Sequence, residues 1–266
     1  MKGKKRVYPY IPNSEPLVRE AMLREIGVDS VDDLLGDIPE GIRMKSRMNL
    51  PEPFTAEADL KRHVEGILSR NIAVGEYLSF LGAGCYDHHV PAVVDEVIGR
   101  SEFLTAYAGE PYEDHGRFQV LFEYQSMMAE LLDFDVCNVP TYDGAQAAGT
   151  SLRMASRLTG RKKTLLAGNM NPDRLRVVRT YLDPVMTVEM FGWDRSSGLL
   201  DLEDLESKMS EEVAAVYFEN PSYLGTIEDQ GEMIARAAHE AGALMVVFAD
   251  PSTLGVLEPP SRYGAD

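Results

Sequence analysis

The chain predicts an α/β fold: a mostly parallel sheet flanked by helices, preceded by a helical arm. Alternation predicts it first. Apolar runs at 136–139, 163–167, 185–190, 213–218 and 243–249 alternate with helix-periodic stretches near 144–159, 171–182, 201–208 and 229–241. Such alternation implies right-handed crossovers and parallel neighbours. Punctuation predicts it second. Asn171-Pro172-Asp173 reads as a helix start and Gly242 as a stop. Size is the third observation. With 266 residues, 44% hydrophobic and 26% charged, the chain can bury a proper core.

Residues 1–75 read as an arm and helical segment, and 76–266 as the large α/β domain. Asn13-Ser14-Glu15-Pro16 opens a helix through Val18, Met22, Leu23 and Ile26, and Gly27 closes it. Ser30-Val31-Asp32-Asp33 resembles a capping box and starts a short helix through Leu34 and Leu35. Pro39, Pro51 and Pro53 interrupt regular structure between Ile38 and Phe54. A helix from Thr55 to Arg70 carries Leu60, Val64, Ile67 and Leu68 on one face. Beyond a loop around Gly82-Ala83-Gly84, helices are expected at Pro91–Ile98 and Arg117–Leu132. Val136–Val139 reads as the end of a buried strand.

Charge narrows the partners. Against 26 basic residues stand 43 acidic ones, a formal net charge of −17. That argues against nucleic acid and anionic membrane surfaces. No apolar run approaches the length of a membrane span, and no h-region follows the lysines at 2, 4 and 5. A cytoplasmic protein is the expectation. Two cysteines, Cys85 and Cys137, make neither a disulfide framework nor a metal cage. Cys85, Asp87, His88, His89 and His115 show no complete metal-ligand set, and adjacent histidines point apart.

In a parallel α/β sheet, ligands bind where strands end at their C-termini. Tyr142-Asp143-Gly144-Ala145, Glu219-Asn220-Pro221 and Asp250-Pro251-Ser252 fall there. Tyr142 to Ala145 form a glycine turn into a helix start with small side chains. Free N–H groups and the positive end of the helix dipole suit an anion. The same small residues equally suit tight packing on a sheet. Asp250 closes an apolar run. In pyridoxal-phosphate (PLP) enzymes an Asp so placed pairs with the pyridinium nitrogen; capping the next turn is the other reading. Asn220 is either a polar site residue or a turn former. The lysines are 2, 4, 5, 45, 61, 162, 163 and 208, so none follows Asp250. A Schiff-base lysine is expected there in a PLP enzyme of this strand order.

Taken together, these motifs resemble a known family. Tyr10-Ile11-Pro12-Asn13, Met22 to Val28, Asn49 to Pro53, Phe80 to Gly84, Leu121 to Gln125, Tyr142 to Ala145, Glu219-Asn220-Pro221 and Gly264-Ala265-Asp266 carry the likeness over nearly the whole chain. The chain resembles subunit 1 of the two-subunit glycine dehydrogenase (decarboxylating), the P-protein of the glycine cleavage system. The resemblance implies the large domain of PLP-dependent transferase fold type I. It implies glycine as substrate, with decarboxylation and aminomethyl transfer to a lipoylated H-protein. It implies a subunit 2 that carries the PLP lysine while this subunit helps form the active-site region. On that reading Tyr142, Asp143, Gly144, Ala145, Asn220 and Asp250 are the cofactor-side residues, none of them covalently catalytic.

Two departures from the family pattern accompany this. The family's Tyr-Thr-Pro-Tyr-Gln and Ser-Gln-Gly loop is replaced by Tyr107 to Gly116, without the Ser-Gln pair. Asp266 also falls where the family continues into more sheet and a C-terminal domain, so the large domain is expected to be incomplete here. A non-catalytic PLP-fold scaffold, or a subunit of another PLP-dependent decarboxylase, are the rival readings.

Overall fold

The computed structural model describes residues 7–46, 48–80, 82, 84, 88–100, 115–138 and 140–266. The chain divides into two compact units, 1–71 and 72–266. The first holds α1 (Pro16–Ile26), a 3₁₀ turn (Val31–Leu35) and α2 (Glu57–Leu68). Glu15 caps α1 through Val18 N–H at 2.9 Å, and Gly27 ends it at φ 84°, where a side chain would be strained. The capping box forms: Asp33 N–H donates to Ser30 Oγ, and Ser30 N–H donates to Asp33 Oδ2 at 2.7 Å. None of the described residues of this unit is buried.

The second unit carries α3 (Ala92–Ile98), α4 (His115–Leu132), α5 (Gly144–Thr159), β1 (Lys163–Ala167), α6 (Pro172–Leu182), β2 (Thr187–Phe191), α7 (Leu202–Lys208), β3 (Val213–Glu219), α8 (Gly231–Glu240) and β4 (Leu244–Phe248). The strands form one sheet in the order β2-β1-β3-β4, all parallel. Alternation along each strand sends side chains to opposite faces. Leu166, Ala215 and Tyr217 pack with Ala148, Leu152 and Ala155 of α5 and Val178 and Leu182 of α6. Leu165, Val216, Phe218 and Met245 pack on the other face with Leu205 of α7 and Ile234, Ala235 and Ala238 of α8. β3 is buried at every position because it is central and covered on both faces. The second unit is therefore the mostly parallel sheet flanked by helices that the alternation implied.

Two expectations are corrected. Residues 136–138 form no strand, and Val136 is 80% exposed. Gln125 Nε2 donates to the Cys137 carbonyl at 2.8 Å, taking an acceptor a ladder would need. The outward groups of Met245 on the open edge are also occupied: Asp266 N–H donates to its carbonyl at 2.9 Å, and its own N–H donates to Asp266 Oδ2 at 2.7 Å. Val139 lies outside the described residues. β2 begins at Thr187, two residues later than its apolar run, because Val185 and Met186 N–H both donate to Leu182 O and finish α6. Leu81, Ala83, Cys85, Asp87 and 107–114 of the altered loop also lie outside the described residues.

Candidate functional site

The site is built where β3 and β4 end and α5 and α6 begin. Asp143 caps α5, its Oδ1 accepting from Gln146 N–H at 2.7 Å. The Gln146 side chain turns back to accept from Tyr142 N–H at 2.7 Å. The cap thereby places a carboxylate at the positive end of the helix. Next to it, Gly144 abuts the Phe248 ring so closely that a Cβ would run into it. This is the close approach that demands glycine. Ala145 follows within the first turn of α5.

Behind Phe248 lies a charged network that the sequence did not single out. The Arg174 guanidinium carbon stands 3.6 Å from the Phe248 ring centroid, a cation–π stack. Arg174 also ion-pairs with Glu219, whose side chain is 3% exposed. Glu219 Oε2 accepts from Asn171 N–H at 3.1 Å, and Tyr217 Oη donates to Oε1 at 3.3 Å. Burial and the Glu219 charge push the Tyr217 phenol well above its ordinary range, so it stays a neutral donor. Asn171 caps α6 by accepting from Asp173 and Arg174 N–H at 2.9 and 3.1 Å. The only signals in sequence were Glu219 at a strand end and Asn171 at a helix start.

Asn220 points inward. Its Nδ2 donates to Glu228 O at 3.1 Å and its Oδ1 accepts from Glu228 N–H at 3.1 Å, closing the 221–227 loop. Asp250 caps the following 3₁₀ turn: Oδ1 accepts from Ser252 N–H and Oγ at 2.9 and 2.8 Å. Its Oδ2 faces His88 Nε2 at 3.7 Å. Partial burial pushes its acidity one way, but the Ser252 bonds and His88 outweigh it and hold the carboxyl below the usual range. Thr141, Asp143, Gly144, Phe248, Ala249 and Pro251 share one groove of about 670 Å³. Tyr142 projects to solvent, 94% exposed. The structure thus brings Asp143, Gly144 and the β4 end together, and turns the Asn220 side chain away to its own loop.

These residues do not form a complete seat for PLP. The Asp143 carboxylate already holds the first-turn amide a phosphate would use, and like charge opposes a phosphate there. Within the second unit, Lys162 and Lys163 sit at the start of β1, the opposite end of the sheet. Lys208 is spent on Asp204 and Met190 O at 2.7 and 2.9 Å. Among the described residues that line the groove, none can supply an amine to the cofactor aldehyde.

Among the described residues, no helix is long and apolar enough to cross a membrane. Comparison with known proteins gives the family. The profile of the glycine cleavage system P-protein matches residues 9–266. A probable glycine dehydrogenase (decarboxylating) subunit 1 from Staphylothermus marinus is 42% identical over 268 residues, covering 97% of this chain and 57% of the relative. The same-named protein of Geobacillus kaustophilus is 40% identical, covering 98% and 57%. A crystal structure of inhibitor-bound glycine decarboxylase (P-protein) superposes with TM-score 0.79 at 37% identity, covering 98% of this chain and 57% of that one. A sphingosine-1-phosphate lyase from Burkholderia pseudomallei, 15% identical with TM-score 0.54 over 79% of this chain and 51% of its own, shares the fold alone. The chain spans about 57% of the length of the curated relatives it matches. The fold is that of the PLP-dependent transferases of fold type I, and the chain belongs to the glycine cleavage system P-protein family.

Proposed function

We propose that the chain acts as a subunit-1-type component of a glycine dehydrogenase (decarboxylating). The likeness to relatives of that name across 97% of the chain carries this reading. The assembly removes CO2 from glycine and passes the aminomethyl group to the lipoyl arm of an H-protein. PLP, as an electron sink, supplies the chemistry for losing CO2. A subunit 2 holds the PLP and its lysine. Asp143 in the α5 cap and the lack of a lysine among the described residues lining the groove support that division. In this reading Tyr142, Asp143, Gly144, Ala145, Asn220 and Asp250 shape a wall of the active-site region. In this reading residues 1–75 form an assembly arm and 76–266 the PLP-transferase-like domain.

The test pairs the purified chain with a subunit 2 and lipoylated H-protein and follows glycine–CO2 exchange. The expected result is exchange at least tenfold above subunit 2 alone. No gain, with the two proteins shown to associate, would leave the chain a scaffold. Borohydride reduction of the chain with PLP should yield no lysine adduct at the groove; a specific adduct there would place the cofactor in this chain instead.

A further inference from the structure

At the other end of the sheet from the candidate site lies an open pocket of about 510 Å³, within the range of small-molecule sites. The second half of α5, the residue before β1, the α6–β2 connection and the first residue of β2 line it. Arg153, Arg157 and Lys162 line it, together with Val185, Met186 and Thr187.

The charge of this pocket is opposite to that of the molecule, which carries −17. Its one acidic lining residue, Asp183, is engaged by Arg179 at 3.7 Å. Neighbouring cations are likewise engaged: Lys163 by Glu189, Arg174 by Glu219, Arg176 by Asp173 and Lys208 by Asp204. Arg161 donates to the carbonyls of Val213 and Ala241. Between 151 and 210, only Arg153, Arg157, Lys162 and Arg195 make neither an ion pair nor a side-chain hydrogen bond. The first three line this pocket, in a chain with 43 acidic residues. Arg153 and Arg157, four apart on α5, also place two like charges side by side on the helix surface. Arg157 in the last turn complements the helix dipole; Arg153, more than a turn earlier, does not.

We infer that this pocket binds an organic phosphate monoester, the guanidinium groups of Arg153 and Arg157 and the Lys162 ammonium taking the dianion while the Val185 and Met186 side chains take the organic part. A dianion matches several cations better than a single carboxylate, and guanidinium groups bind phosphate oxygens in pairs. The inference is independent of the proposed catalytic role, since the pocket shares no residue with the groove at the candidate site.

The test titrates glycerol 3-phosphate into the 266-residue chain by calorimetry, with glycerol and citrate as comparison ligands. Saturable binding of the phosphate, absent for glycerol, is expected. The Arg153→Ala/Arg157→Ala double variant should weaken it at least tenfold with an unchanged urea midpoint. Should that variant unfold, Lys162→Ala replaces it. Arg195→Ala removes an equally unpaired cation outside the pocket and should change nothing. Equal loss in Arg195→Ala, non-saturable binding, or citrate binding as tightly as the phosphate would overturn the assignment.

Discussion

Arg174 is the residue on which the most local structure depends. It neutralises Glu219, which is 3% exposed, and stacks on the ring against which Gly144 rests. Removing one partner of a buried ion pair leaves the other charge without compensation. Arg174→Ala should therefore cost on the order of 3–5 kcal/mol in urea unfolding. A loss below about 1 kcal/mol would mean that the Asn171 amide and Tyr217 hydroxyl satisfy Glu219 unaided. Gly144→Ala tests the other side of the ring. The new methyl must displace Phe248, an overpacking cost of about 1–3 kcal/mol. Neither Arg174 nor Phe248 stood out in the sequence, because nothing in a one-dimensional pattern marks which arginine a buried glutamate will find.

At the scale of elements, the helix starts were legible because caps are local. Asp143, Asn171 and Asp201 each accept from N–H groups two or three residues ahead, within a span any sequence reading covers. A less local link is the tie from α7 to β2. Asp204 Oδ2 accepts from Gly192 N–H at 2.6 Å and from Lys208 Nζ at 2.7 Å, and Lys208 also reaches Met190 O. The Lys208 bond first, then the Gly192 amide, hold the Asp204 carboxyl below its ordinary range. A depressed folded pKa contributes stability that is present above the unfolded value of about 3.9 and lost as pH falls through the folded one. Thermal midpoints of Asp204→Asn should accordingly lie closer to wild type in acid than at neutral pH. A gap that stays constant down to the acid limit would show that the tie does not titrate. Asp194, held down to about 2 by Ser196 and Ser197, remains ionised in both proteins over most of that range.

Across the whole molecule, burial is uneven. The first buried residue of the described chain is Ala148, and β1, β3, α5 and α8 supply most of the rest. Apolar residues in α1 and α2, such as Leu17, Ile26, Val64 and Ile67, are 41–72% exposed. Opening free energy follows buried apolar contact. Native-state hydrogen exchange should find the β1 and β3 amides slowest and those of α1 and α2 faster by orders of magnitude. Equal protection in both regions would contradict this distribution. If the arm docks in the proposed assembly, α1 and α2 should gain protection when subunit 2 is added, while β3 should change little.

The parallel α/β layout, the helix starts and stops, the acidic surface and membership of a family whose motifs run from Tyr10 to Asp266 were legible in one dimension. These depend on short-range chemistry: side-chain period, caps, glycine conformations and composition. Packing in three dimensions leaves 136–138 without a strand, turns Asn220 onto its own loop, sets Asp250 beside His88 as a turn cap, and gathers Arg174, Glu219 and Phe248 into a network. The network and the Asp250–His88 contact join residues distant along the chain, while Asn220 and Asp250 bind nearer partners that the fold makes available. A donor or acceptor forms its bond with whichever partner the fold brings near, and the order of residues does not encode that proximity.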